Sequence, residues 1–439
     1  MPILFPRSLC PGQTRLRRVA WLLLLVAARA GAADITDPHL PADLATIRRI
    51  SLTEALATLD RENLELTLAR RAVEAAAGRS TDARQWPNPE VALDREQLSG
   101  DDPAQPQTSI SFSQPVELAG KRQHRQAAAA AGLTATAARA EALRLQLRFE
   151  IVRAFALASA AEGRLAARDQ TAGVIRRVES AGAARLAEGD LSRLAYERLR
   201  LERARYEAAL VAASLDVAAA ARALALAVSG SDAPGLLLPA TERPEAVPEP
   251  PTLSNIAEAS ARAEHRHEIA ELTAQMAEAE AALALERARR VPDLALRVGF
   301  KDQADGTSGP TFGVSLPLSL WNRNQGRIAE AAALVEAARD RRALALRRAR
   351  AEIAGAWETA AARAAQLAAL APSLAAANTL LPTAVISYEE GEASLVELLD
   401  AATAYLSARE QALDLAAANT IARADLERAT ALASDSPQE

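Results

Sequence analysis

The chain has 439 residues and a formal net charge of −5, and half of its residues are hydrophobic although only 3% are aromatic. Alanine, the best helix former, is the commonest of these hydrophobic residues. The composition therefore favours long, closely packed helices over a thick globular core. The acidic balance argues against a protein that binds nucleic acid through a basic surface.

The N-terminus has the order of segments that is typical of a secretory signal peptide. Arg15, Arg17 and Arg18 precede the apolar run 19–28, and small residues follow that run. The alternative, a membrane anchor, would need about 20 apolar residues, and this run has about half that number. We predict a signal peptide over residues 1–33, which carry five arginines and no acids, so its removal changes the net charge from −5 to −10.

The single cysteine, Cys10, lies before the apolar run and would leave with the signal peptide. The mature chain is then expected to have no disulfide, no thiolate metal ligand and no cysteine nucleophile. We expect no later segment to approach the length of an apolar spanning helix. We therefore expect any passage through a membrane to use strands.

Three segments recur in the same order at offsets of about 202–205 residues. Chance similarity among alanine-rich helices is the alternative to a duplication, but it does not cover the matched strand segments, which are not alanine-rich. The matches pair 83–96 with 288–300, 108–123 with 311–326, and 188–190 with 390–392. The predicted segments are the signal peptide (1–33), a first repeat (34–228), a Pro-rich extended crossover (229–251), a second repeat (252–432) and a C-terminal tail (433–439).

Each repeat is predicted to contain a helix, two strands, a very long helix, a Gly-containing break and a second long helix. A helix of about 60 residues is on the order of 90 Å long, far longer than a globular domain needs. Leu399, Leu406 and Leu413 recur every seven residues, which favours side-by-side packing of these helices. The predicted helices are 51–85, 119–182 and 190–228, then 252–290, 324–386 and 392–432.

Polar and apolar residues alternate over four segments, with the clearest alternation from Thr311 to Leu320. The other three are 91–97, 109–118 and 294–301. This period is typical of transmembrane barrel strands, although a half-buried sheet in a soluble domain shows it too. Trp86 precedes the first strand and Trp321 follows the fourth, which favours the membrane because aromatic girdles form at its interfaces.

Four strands cannot close a barrel, and an open sheet edge does not occur in lipid. Single-chain barrels begin at about eight strands, so several copies of the chain must share one barrel. Three copies of four strands would give twelve, and a homotrimer is the simplest prediction. The shared barrel, continued by long helices, would form a tube.

The chain resembles the outer-membrane efflux protein (TolC-like) family over its whole mature length. The resemblance rests on the duplicated unit, on the strand openings at Pro89–Val91 and Pro292–Leu294, and on the segment Tyr388–Glu410. It implies a mostly α fold with a four-strand β contribution: a duplicated α-barrel plus a trimer-shared transmembrane β-barrel. It also implies a channel in the outer membrane of a Gram-negative bacterium that crosses the periplasm and docks onto a periplasmic adaptor and an inner-membrane transporter.

Two segments, Gln114–Arg125 and Leu316–Ala331, resemble the cobalt–zinc–cadmium resistance (CzcC-like) branch of that family. This similarity implies export of divalent heavy-metal cations with a resistance-nodulation-division pump, and no cofactor. Multidrug efflux and type I protein secretion are the alternatives, because relatives in those systems share parts of the motifs.

Acidic residues after the second tip line the periplasmic constriction in this family, and the matching residues here are Glu397 and Asp400. Three residues apart on a helix, they share a face, and a ring of carboxylates favours cations. Ser394 and Glu397 also form a capping-box pattern, so Glu397 has a structural alternative.

The family resemblance further implies adaptor contacts at the two tips and a barrel-to-tunnel junction with sharp backbone turns. The basic residues of that junction are candidates for contact with outer-membrane lipid. The tip residues are Gly189, Asp190, Gly391 and Glu392. The junction residues are Gly120, Lys121, Arg122, Asn322, Arg323, Asn324 and Gly326.

Two other classes of protein fit the sequence poorly. An enzyme would need a catalytic constellation, and the sequence shows no phosphate-binding Gly loop and no Ser/His/Asp context. His265 and His267 invite a metal interpretation, but residues two apart on a helix point to nearly opposite sides, so we predict no metal site. A periplasmic adaptor would have one helical hairpin and a compact β part.

Overall fold

The computed structural model describes residues 47–98, 105–230, 235–240 and 256–430. The signal peptide and the C-terminal tail expected from the sequence lie outside these ranges. The elements of the first half are β1 (Ile47–Ile50), α1 (Leu52–Glu62), α2 (Leu64–Asp82), β2 (Glu90–Leu98), β3 (Gln105–Val116), α3 (Lys121–Glu188), α4 (Arg193–Ser229) and β4 (Leu236–Pro239). Those of the second half are α5 (Ile256–Ala261), a 3₁₀ helix (Arg262–His265), α6 (His267–Ala288), β5 (Leu294–Gln303), β6 (Ser308–Ser315), α7 (Gln325–Glu389) and α8 (Leu395–Thr430).

The long helices predicted in each half are present. Helix α3 has 68 residues and α7 has 65, so each is on the order of 100 Å long. Leu413 of α8 lies against Gly163 of α3, where an added Cβ would be 2.6 Å from its Cδ2. The absence of a side chain at Gly163 thus lets these two helices approach closely, as the seven-residue leucine spacing indicated.

The helix predicted over 51–85 is wrong in one respect, because it is broken at Asn63. This buried residue accepts a hydrogen bond from the Leu66 amide at 3.1 Å and caps the start of α2. Its Nδ2 also donates to the Val228 carbonyl, at the end of α4, at 3.3 Å. One side chain therefore satisfies orphan groups of two helix ends and joins α4 to α2 end to end.

The helix predicted over 252–290 is also interrupted, between α5 and α6. Arg266, 4% exposed, stands before α6 in an extended conformation. Its guanidinium pairs with Glu352 of α7 and with Glu268, each at 2.6 Å. Arg428, near the end of α8, bonds the other oxygen of Glu352. These charges join α6, α7 and α8 where the end of α8 meets the start of α6.

The contacts among the long helices show the order in which they lie side by side, as one layer that we call the helical wall. Helix α3 packs against α2 and α4 and also against α6 and α8, and α7 packs against α6 and α8. The wall therefore runs from the α4–α2 pair, through α3 and the α8–α6 pair, to α7. Its two end members, α2 with α4 and α7, are the ones left with a free side.

Four strands form one antiparallel sheet in the order β2-β3-β5-β6. The fourth strand ends at Ser315, so the expectation that it continues to Leu320 is wrong. Ser315 pairs with Ala295, and β5 begins at Leu294, so residues beyond 315 have no neighbouring strand among the residues that the structure describes. Pro317 also lacks the amide proton that a ladder needs.

A second, parallel pair of strands joins β1 to β4. The sequence predicted an extended crossover here but not this pairing. Arg49 of β1 helps to hold it, donating to the Pro239 carbonyl at 2.7 Å and pairing with Glu162 of α3 at 3.0 Å.

Two helices, α4 and α7, contain stretches that are long and apolar enough by composition to cross a membrane. The expectation that no later segment approaches this length is therefore wrong by that criterion. These stretches meet the criterion because they are rich in alanine, which counts as apolar although its side chain has little surface. Such stretches are weak evidence for a span, and α4 packs along α3 and α1 of the same chain.

Candidate functional site

The four-stranded sheet exposes one continuous apolar face. The register places Val91, Phe112, Val298 and Phe312 in one row across all four strands. Leu93, Ile110 and Phe300 form the next row. All of these side chains are exposed, with Phe312 at 79%, which a sheet surrounded by water would not favour.

The opposite face of the same sheet is polar. Ala92, Ser111, Gly299 and Thr311 form one row, and Asp94, Ser109, Lys301 and Gly309 form the next. One apolar and one polar face is the pattern of a strand set that separates lipid from water. The outer edges of β2 and β6 have no partner strand among the described residues.

Both tryptophans singled out in the sequence lie at the end of the sheet from which the long helices leave. Trp86 comes just before β2, and Trp321 comes six residues after β6 ends. The guanidinium of Arg122 lies 4.7 Å from the Trp86 ring centroid, a cation–π contact. Trp321 is 87% exposed. Their role at a membrane interface remains a prediction.

At the first junction, β3 turns into α3 through Ala119 and Gly120, both with positive φ. The sequence indicated Gly120 but gave no signal for Ala119. Lys121 is buried and pairs with Asp293 at 2.7 Å, so it contacts the chain itself and not lipid. Arg122 donates two hydrogen bonds to the Arg84 carbonyl, at 2.9 and 2.7 Å.

At the second junction, Asn324 has φ 63° and stands where Gly120 stands in the first repeat. Its Nδ2 donates to the carbonyl oxygen of Glu286 at 2.8 Å and to that residue's carboxylate at 2.6 Å. Asn322 accepts from the Asn324 amide at 3.0 Å and thereby fixes the turn. Arg323 is exposed, and Gly326 lies in the first turn of α7 with open space around it.

The turns at both tips depend on glycine, as predicted. Gly189 has φ 87° and Gly391 has φ 82°, a conformation that side chains disfavour. The adjacent residues Asp190 and Glu392 are exposed. Nothing in the structure tests their contact with an adaptor.

At the second tip, Ser394 and Glu397 form the capping box that the sequence indicated. The Glu397 carboxylate accepts from the Ser394 amide at 2.7 Å, and the Ser394 hydroxyl accepts from the Glu397 amide at 3.3 Å. Hydrogen bonds from the amide and then the hydroxyl of Ser394 hold the pKa of Glu397 below its usual value. The carboxylate is therefore ionised at neutral pH.

Asp400 is exposed on the same side of α8 as Glu397, and no ion pair to it is seen within the described ranges. Leu398 and Leu399 on the other side are buried against α3, α4 and α7. Packing thus fixes which way the two carboxylates face. At the first tip Ser192 caps α4 through the Ala195 amide, and Arg198 occupies the place of Asp400.

Links between the two repeats near the tips were not found from the sequence. Arg168 of α3 pairs with Glu410 of α8 at 2.6 Å, and Arg164 pairs with Asp414. The Tyr405 hydroxyl donates to Gln170 at 3.0 Å. Partners more than 230 residues apart in the sequence leave no local pattern that could have revealed them.

His265 and His267 are not on one helix, so the geometric reason given for excluding a metal there is wrong. His265 ends the 3₁₀ helix and His267 begins α6, with the extended Arg266 between them. Over the ranges that the structure describes, no group of three or more metal-binding side chains is found.

Comparison with known proteins agrees with this geometry. The model of the outer membrane efflux protein family matches residues 259–432. The cobalt-zinc-cadmium resistance protein CzcC of Cupriavidus metallidurans is 25% identical over 293 residues, which are 66% of this chain and 68% of that protein.

Solved structures share the fold over most of the chain. A membrane protein from Pseudomonas aeruginosa superposes with a TM-score of 0.73 at 21% identity, covering 95% of this chain and 99% of the other. CusC gives 0.70 at 19% identity, with 89% and 96% covered. VceC of Vibrio cholerae gives 0.69 at 19%, with 86% and 95% covered.

The second half of the chain, residues 259–432, is thus similar to the outer membrane efflux protein family, and most of the chain shares the fold of the solved membrane proteins. The proteins that it matches are outer-membrane efflux channels of Gram-negative bacteria and not enzymes. Members of this family form trimeric outer-membrane channels that work with periplasmic adaptors and inner-membrane pumps.

Proposed function

We propose that three copies of this chain share one twelve-stranded barrel in the outer membrane and continue it as a helical tunnel into the periplasm. The observation that carries the proposal is the isolated four-stranded sheet, with an exposed apolar face and two unpaired edges. Pairing β6 of one copy with β2 of the next would satisfy the edge amides and carbonyls, which lipid cannot do.

The duplication supports the same closure for the helices. Within the chain, α6 packs on α3 so closely that a Cβ on Gly132 would lie 3.1 Å from the Glu278 carboxylate. The free helices α2 and α7 are the repeat equivalents of α6 and α3. Both helices carry exposed leucines, among them Leu68 of α2 and Leu344 of α7. A second copy would place α2 on α7 as α6 lies on α3.

At the periplasmic end we propose that Glu397 and Asp400 form the acidic constriction. Each copy would contribute two carboxylates to a ring around the axis, and the buried leucines behind them support this orientation. Such a ring attracts cations and repels anions. The exposed turns at Gly189–Asp190 and Gly391–Glu392 would meet the periplasmic adaptor.

We further propose that the exported substrates are divalent heavy-metal cations, supplied by an inner-membrane pump of the resistance-nodulation-division type. The relationship to CzcC and the acidic second tip support this assignment. The chain itself acts as a conduit, and substrate selection would occur in the pump.

A tolerance assay tests the substrate. A deletion strain should lose tolerance to zinc, cadmium or cobalt, and the wild-type gene should restore it. Unchanged metal tolerance with increased sensitivity to antibiotics would favour multidrug efflux, and loss of a secreted protein alone would favour type I secretion. Either result would contradict the proposal of metal export but not the proposal that the chain forms a channel.

A further inference from the structure

The two junctions between sheet and helices use their basic residues differently. At the first, Lys121 is buried against Asp293, and Arg122 covers Trp86 and bonds the Arg84 carbonyl. Arg125 pairs with Glu117 and bonds the Ala83 carbonyl at 3.3 Å. The basic residues that begin α3 are therefore occupied within the chain.

The second junction carries three arginines at other positions, Arg290, Arg323 and Arg327, and all three are exposed. Arg327 interacts electrostatically with Glu286, but no hydrogen bond or ion pair of the three guanidinium groups is seen in the described part of the chain. The turn that carries them is nevertheless well fixed. Asn324 ties the start of α7 to Glu286 at the end of α6, so the backbone segments that carry the three arginines meet at this junction.

An apolar segment adjoins these arginines. Leu318 is 73% exposed and Leu320 57%, and Trp321 follows them with one of the most exposed large side chains described. They continue the apolar alternation of β6 beyond its last paired residue, Ser315. The apolar face of the sheet thus ends in a tryptophan and three exposed arginines, the arrangement expected at a boundary between acyl chains and phosphate-bearing headgroups.

We propose that this surface, the second-junction patch, binds the headgroups of anionic phospholipids in the leaflet that faces the helices. The patch consists of Arg290, Leu318, Leu320, Trp321, Arg323 and Arg327. The inference rests on the proposed membrane-spanning role of the sheet. The arginines bind the phosphates, the leucines enter the acyl region, and Trp321 lies between them. The first junction has no comparable patch, because its helix-starting cations are internal.

Native mass spectrometry of the purified mature protein tests this proposal, with micelles that contain either phosphatidylglycerol or phosphatidylcholine. The wild type should retain phosphatidylglycerol preferentially. The double variant Arg323→Gln/Arg327→Gln should lower that preference about 25-fold, since each basic residue near an anionic surface contributes about fivefold. Arg323→Lys/Arg327→Lys should keep most of it. The control, Arg341→Gln/Arg348→Gln, removes two exposed arginines about 20–30 Å farther along α7 and should change nothing.

Three results would overturn the proposal. The first is an unchanged lipid preference in the glutamine variant, and the second is an equal loss in the control. The third is dissociation of the oligomer by the glutamine variant, which would make the patch a contact between copies of the chain. If the wild-type protein does not fractionate with the outer membrane, the proposed function itself fails, and the patch is not at issue.

Discussion

The two repeats have the same sequence of elements, but different side chains hold equivalent points together. Where α4 meets α2, one neutral amide, Asn63, caps both helices. Where α8 meets α6, the buried Arg266 bonds Glu352 and Glu268. The first tip carries Arg198 where the second carries Asp400. The duplication has thus kept the backbone path while the polar chemistry diverged, and function is expected where the chemistry differs.

The largest expected effect comes from the two helix junctions. Arg266→Ala should lower the free energy of unfolding by about 3 kcal/mol, because two carboxylates lose a buried partner. Asn63→Ala should cost less, about 1–2 kcal/mol, because a cap and one neutral hydrogen bond are lost. Denaturant unfolding of the purified protein, followed by circular dichroism, gives both values. A loss for Asn63→Ala that equals or exceeds the loss for Arg266→Ala would contradict the larger contribution assigned to the buried arginine.

At the two sheet-to-helix junctions, the loss of stability should again be larger where the substituted side chain is a buried cation. Lys121→Ala removes a buried ammonium whose partner, Asp293, is partly exposed, so the loss should be about 1–2 kcal/mol. At the equivalent place in the second repeat, the exposed Gln325 accepts one hydrogen bond, from the Arg323 amide at 2.8 Å, and Gln325→Ala should cost about 0.5 kcal/mol. Thermal unfolding in detergent measures the two side by side. A loss at Gln325 as large as that at Lys121 would contradict the internal role of Lys121.

Glu427, near the end of α8, has no titratable counterpart in the first repeat. The equivalent part of α4 has the buried residues Leu224 and Ala225. Burial raises the pKa of Glu427 to about 7 from 4.5, although Arg423 and Arg148 act in the opposite direction. Between pH 4.5 and 7 the unfolded chain therefore binds fewer protons, and stability should fall as pH rises. Glu427→Gln should flatten this part of the curve of melting temperature against pH. A variant with the wild-type slope would show that another group is responsible.

The tips should give a smaller effect, on permeation and not on stability. Asp400→Asn removes one carboxylate per copy from the proposed constriction and should weaken block by trivalent cations several-fold in planar bilayers. Arg198→Gln at the first tip is the matched control and should leave the block unchanged. A changed block in the Arg198→Gln variant alone would indicate that the constriction lies at the first tip and not at the second.

Much of this architecture could be predicted from the sequence, because it depends on local patterns. Long alanine-rich helices, alternating strands, glycines in the tip turns and the capping box at Ser394 all leave such patterns. The break at Asn63 was missed because asparagine inside a helical stretch resembles an ordinary surface residue. The pairing of Arg168 with Glu410, and of β1 with β4, depends on contacts between distant segments. The early end of β6 depends on a missing partner strand, which alternation alone does not reveal.

The closure of the barrel is the central claim, and one cross-linking measurement tests it most directly. The predicted mature chain has no cysteine. Ala92 on β2 and Thr311 on β6 lie on the same polar face with two strands between them, about 14 Å apart, too far for a disulfide within one chain. We would combine Ala92→Cys in turn with Gly309→Cys, Thr311→Cys and Gly313→Cys, and oxidise the protein in outer membranes. The account predicts that at least one pair yields covalent trimers on a denaturing gel without reductant. Monomers alone from all three pairs would contradict a shared barrel.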